Sequence, residues 1–187
     1  MRMRVWAAIF GITAGTVLAA GVSAAKAQAQ SQPQPAPASQ ADGVSKTPVP
    51  VGSMRITFGD KSAEWTPATL AALPHQTVTV INSHTKTNLT FSGVPLIDLL
   101  QQLGLPAKPE GTALRYYLVA VGSDGYEAVY SLAETVPELH NASAIVADTL
   151  EGKPLAGRGP LQLVATGDKT LARCVRNLVA IRALTTE

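Results

Sequence analysis

FSGVPLIDLLQQLGLP, residues 91–106, is the segment in which a helix can be placed with its buried face and its end both legible. Leu96, Leu99, Leu100 and Leu103 fall at helical spacing and make one apolar stripe. Gly104 follows as a C-terminal cap, and Pro106 prevents continuation. Around this helix the chain reads mainly as strands. Upstream, Met54, Ile56 and Phe58 alternate with polar residues until Gly59-Asp60, and Gln76 to Ile81 is β-branched. Between them Thr66-Pro67 is an N-cap followed by proline, opening the short helix ATLAAL that Pro74 closes. Asn82 to Asn88 is polar and reads as a turn or loop. Downstream, Leu114 to Val121 and Tyr126 to Tyr130 are strand-like and joined through Ser123-Asp124-Gly125, a hairpin signal. Ser131 and Glu134 have capping-box spacing for a short helix before Pro137. Ala144 to Ala147 and Leu161 to Ala165 are short apolar strands, with Gly152, Pro154, Gly157, Gly159 and Pro160 between them. The predicted class is α+β: a mixed, largely antiparallel sheet with short inserted helices.

The N-terminus has a different character. Arg2 and Arg4 precede an uncharged, mostly apolar stretch from Val5 to Val22. Ala25-Lys26-Ala27 and Ala27-Gln28-Ala29 then offer small-x-small cleavage sites. This is the pattern of a secretory signal peptide, residues 1–27, and it predicts a periplasmic or secreted protein. A membrane enters only if that segment stays uncleaved. Residues 28–53 form a Gln/Pro/Ala-rich linker too poor in apolar residues to fold. Residues 54–187 suit one domain.

Four of the 15 basic residues (Arg2, Arg4, Lys26 and Lys46) and one of the 13 acidic residues (Asp42) precede that domain, leaving 11 basic and 12 acidic residues within it. A net charge of −1 gives no electrostatic case for nucleic acid. The local exception is Lys169, Arg173, Arg176 and Arg182. Lys169, Arg173 and Arg176 recur at spacings that can share one helical face, and arginine suits forked hydrogen bonding to carboxylate or phosphate.

Five segments carry a family likeness: FSGVPLIDLL (91–100), GSDGYEAVYSLAE (122–134), EGKPL (151–155), GPLQLV (159–164) and GDKTLARCVRNLVAI (167–181). In that order they resemble the molybdopterin-binding domain of the sulfite-oxidase family, in its small, stand-alone secreted form. The resemblance implies a sulfite-oxidase molybdopterin-domain-like fold. That family holds molybdenum through a cysteine thiolate upstream of the GVPL segment, whereas TVTVINSHTKTNLT (77–90) contains none. No arginine follows closely where the family's oxyanion-binding arginines begin, and Gln162 stands where larger relatives often carry one. The family's pterin-holding lysine-tryptophan pair is matched here by Arg173-Cys174.

The remaining chemistry is sparse. His75, His84 and His140 form no zinc motif, and no serine lies in a GxSxG elbow. Cys174, the chain's single cysteine, excludes an internal disulfide and is expected to point inward as a small apolar residue. The reading is thus an exported, non-catalytic ligand-binding or scaffold domain with no cofactor and no metal. Its partner would be an unidentified small molecule or a periplasmic protein. The alternative is a periplasmic oxidoreductase that binds a molybdopterin-type cofactor without a cysteine ligand. Any ligand is expected at Asn82, His84, Lys169, Arg173 and Arg176.

Overall fold

The computed structural model describes residues 50–106 and 108–186. The expected signal segment, 1–27, and the linker up to residue 49 lie outside the described residues. The linker's last four residues form a turn, in which the Pro50 carbonyl accepts from the Ser53 backbone N–H at 3.1 Å and its hydroxyl at 2.8 Å.

The described strands divide between two sheets. β1 (Met54–Phe58), β2 (Lys61–Trp65), β5 (Tyr116–Gly122), β6 (Glu127–Ser131) and β10 (Leu178–Thr185) form the first, in the order β2-β1-β10-β5-β6. β3 (Gln76–Ile81), β4 (Asn88–Pro95), β7 (Ala144–Leu150) and β8 (Lys153–Pro154) form the second in that order, with β9 (Gln162–Ala165) also on β7. β1 and β10 pair in parallel, Ile56 opposite Ile181, and every other strand pairing is antiparallel. The two α-helices among the described residues, α1 (Pro67–Leu70) and α2 (Leu96–Gln102), are short. The class is therefore the mixed, largely antiparallel α+β arrangement that the alternating runs predict.

Burial follows strand alternation. Met54 and Ile56 of β1, Leu118 of β5 and Ile181 of β10 are fully buried in a core shared with Val94 of β4 and Val146 of β7. The α2 stripe closes that core: Leu96, Leu99 and Leu100 are fully buried and Leu103 nearly so. On β7 the intervening residues Ile145 and Ala147 point the other way. They join Val78, Val80, Phe91, Val164 and Cys174 in a second apolar cluster, so the second sheet is buried on both faces at its centre.

Gly93 explains the GVPL signal. A Cβ there would lie 2.1 Å from the Val146 carbonyl oxygen and 2.4 Å from the Ala147 Cα, both backbone atoms that cannot give way. The approach occurs where the β4–β7 register slips. Ser92 faces Thr149 but Gly93 faces Ala147, leaving Asp148 as the bulged residue.

Several local expectations change. The ATLAAL helix shortens to Pro67–Leu70, although its cap is as read. Thr66 and Thr69 exchange side-chain hydrogen bonds with each other's backbone N–H groups. Ser131 makes no capping bond, and Leu132–Thr135 is a 3₁₀ turn. Residues Gly111–Arg115 are also 3₁₀, so the strand expected from Leu114 begins at Tyr116.

Leu100→Ala removes a fully buried side chain between the sheets and is expected to cost about 2–5 kcal/mol in denaturant unfolding. A loss below ~0.5 kcal/mol, the scale of surface substitutions, would mean that this stripe is not the core.

Candidate functional site

The segment between β9 and β10, residues 166–177, decides where the charged side chains go. It is not helical, so Lys169, Arg173 and Arg176 do not share the helical face that their spacing allows. The backbone hydrogen bonds of this segment run elsewhere. Val175 exchanges N–H and carbonyl with Leu163 at 3.1 and 2.9 Å. The hydroxyls of Tyr126 and Tyr130 donate to the carbonyls of Ala172 and Arg173. Acceptors taken by Tyr126, by Tyr130 of β6 and by β9 leave no ladder for a helix.

Arg173 is held on three sides. Its Nε and Nη2 donate to the two carboxylate oxygens of Asp168 at 2.9 and 2.6 Å. Its Nη1 donates to Glu134 at 2.9 Å and to the Val129 carbonyl at 3.2 Å. The guanidinium also lies over the Tyr130 ring, 4.7 Å from its centroid. These bonds occupy four of its N–H groups and two carboxylates balance its charge, raising its pKa further above the ordinary arginine range, chiefly through Asp168. Tyr130, 1 % exposed, has its pKa raised by burial. Arg173 thus ties the segment to β6 and the turn after it.

Next to it, Cys174 points inward as expected. It sits in the second apolar cluster, and burial pushes its thiol pKa up.

The cleft itself, 390 Å³, opens between the β3–β4 turn and this segment. Asn82, Ser83 and His84 line one wall, and Thr170, Leu171, Ala172 and Arg176 the other. Asn82 Oδ1 accepts from the backbone N–H of His84 at 3.0 Å and of Thr85 at 3.4 Å, so the side chain shapes the turn. Of the five predicted site residues the fold brings Asn82, His84 and Arg176 together. Lys169 is exposed and, like Arg173, is not among the lining residues. A separate groove of 260 Å³, lined by residues such as Pro50, Val51, Pro160 and Leu178, presents no titratable side chain. A third hollow, of 440 Å³ at Phe58, Arg115 and Tyr116, is more open and is built from one side of the first sheet and the adjoining loops.

One residue escapes the sequence reading. The Arg158 guanidinium lies over the Phe91 ring, 5.9 Å from its centroid, and its Nη1 is buried without a partner among the described residues. Burial lowers its pKa, and the nearby charge of Arg176 lowers it further. A charged residue between two glycines, Gly157 and Gly159, is the only local signal that it is specially placed. Gln162, 1 % exposed, also keeps an unpartnered Oε1. Among the described residues no three His, Cys, Asp or Glu side chains converge as a metal site, and no helix is long and apolar enough to cross a membrane.

Comparison with solved structures identifies the fold. The chain is similar to the crystal structure of the sulfane dehydrogenase SoxCD from Paracoccus pantotrophus, with a TM-score of 0.53 and 19% sequence identity. The match covers 72% of this chain and 38% of that one. No family model and no curated protein matches the sequence. The likeness establishes a sulfite-oxidase molybdopterin-domain-like fold, as the motif order predicts.

Tyr130→Phe would leave the buried end of the loop without its donor. It is expected to cost about 1–3 kcal/mol in denaturant unfolding. A cost under ~0.5 kcal/mol would show that Tyr130 does not hold the segment.

Proposed function

We propose that this chain is an exported, non-catalytic binding domain on a sulfite-oxidase-like fold. Its cleft between the β3–β4 turn and residues 170–176 receives an anionic ligand. The observation that carries the reading is the donor set of the cleft. Asn82 offers no thiolate and uses its carbonyl oxygen to close its own turn. The single thiol of the chain is buried in the second apolar cluster with its pKa raised, a setting that favours the neutral thiol. A molybdenum centre anchored by cysteine does not fit those groups, because a soft thiolate ligand is what such a metal requires from the protein.

The preference for an anion rests on charge. Arg176 is exposed at the cleft and makes no ion pair among the described residues, while Arg158 stands close enough to feel its charge. Two neighbouring guanidinium groups, neither in an ion pair among the described residues, favour a negatively charged guest at Arg176. The same pair is what favours the alternative, an oxidoreductase holding a molybdopterin-type cofactor through arginine and backbone contacts.

Elemental analysis of the mature protein, expressed in a host that makes molybdopterin, separates the two. The expected result is molybdenum far below stoichiometric, unchanged by Cys174→Ser. Stoichiometric molybdenum would overturn the cofactor-free reading, and its loss in Cys174→Ser would relocate the metal site to that thiol.

A further inference from the structure

His75, at the entry of β3, has an oxygen acceptor at each ring nitrogen. Nδ1 lies 2.8 Å from the carbonyl oxygen of Leu73, and Nε2 lies 3.1 Å from Oδ2 of Asp148. A neutral imidazole has one N–H and can donate to only one of them. The other contact would then set a ring lone pair against an oxygen lone pair. The imidazolium alone satisfies both.

We infer that His75 and Asp148 form a proton-dependent latch, closing the start of β3 onto the bulge of β7 when the ring is charged and releasing it when the ring is neutral. The fold gives this contact something to hold. Among the described strands β3 is an edge strand, paired only with β4, and it runs from His75 at one end to Asn82 and the cleft turn at the other. Asp148 is the bulged residue of β7. Its side chain is only 10% exposed and its Oδ1 has no partner among the described residues, which leaves the carboxylate dependent on His75. The ring keeps enough exposure, 25% of its side chain, to exchange protons with solvent.

Among the described residues, Asp148 is the one charged group that acts on the His75 ring. The α1 side offers the neutral Leu73 carbonyl, and the neighbouring link from β3, Gln76 Nε2 to the Ser143 hydroxyl at 3.1 Å, is also neutral. The Asp148 hydrogen bond raises the His75 pKa above the ordinary histidine value. Burial opposes it, and the Leu73 carbonyl and the Asp148 charge add to it. A raised folded-state pKa means that the stabilisation is complete below about pH 6.5, the unfolded value, and is lost as pH rises through the folded value.

The test is independent of what the cleft binds. In the full mature chain, His75→Gln is expected to lower Tm by about 3 °C at about pH 5.5 and to leave it unchanged at about pH 8.5. An NMR titration of the unmutated protein should place the His75 ring above the ordinary histidine value, and Asp148→Asn should return it there. A His75→Gln effect that is absent or equal at both pH values overturns the latch. So does a ring that titrates at or below the ordinary value, or one indifferent to Asp148→Asn.

Discussion

The hydroxyl of Tyr130 on the Arg173 carbonyl, with the Arg173 guanidinium folded back over the same ring, fixes the segment on which the rest of the site depends. Asp168 and Glu134 bind that guanidinium from the segment itself and from the 3₁₀ turn after β6. Such charge-assisted, forked contacts are stronger and more directional than neutral ones. With both ends of the lock engaged, the segment cannot wind into a helix, and its residues take alternate duties. Cys174 and Val175 face inward, while Arg176 and Thr170 to Ala172 face the cleft.

The inward duty matters because the second sheet has two faces to cover. Its inner face meets the first sheet and α2. Its outer face, with Val78, Phe91, Ile145 and Val164, has no helix over it among the described residues, and Leu155, Leu171 and Cys174 from the long connections lie there instead. Arg158 lies over the Phe91 ring on the same face, and its Nη1 is buried there without a partner among the described residues. Fold and candidate site are thus one construction: the loop that completes the apolar cluster also brings Arg176 to the cleft. A thiol at position 174 serves the cluster, and burial makes it a poor ligand.

What the sequence reveals follows from how local each cause is. The α2 stripe, the Thr66 cap and the Asp124-Gly125 turn are written within a few neighbouring residues, and they form as read. β2 carries little apolar signal, because only Trp65 of its five residues is buried, so it depends on pairing with β1. The 166–177 segment misleads because its backbone partners lie far away, at Tyr126, Tyr130 and Leu163. A spacing of four and three therefore suggests a helix that nonlocal bonds forbid. For the same reason Arg173, basic and well spaced, reads as a ligand group until Asp168 and Glu134 are seen around it. Asn82, His84 and Arg176 are legible because they flank a turn and an exposed strand end, whereas Arg158 is placed by contact with a ring 67 positions earlier in the chain.

The central claim is that the cleft between residues 82–84 and 170–176 is where an anion binds, with Arg176 as its cation and Arg173 excluded. An amide chemical-shift titration with inorganic phosphate tests it most directly. The account predicts saturable shifts at Ser83, His84, Thr170 to Ala172 and Arg176, lost in Arg176→Ala. Shifts that centre on Asp168, Arg173 and Glu134, or that survive Arg176→Ala, would contradict it.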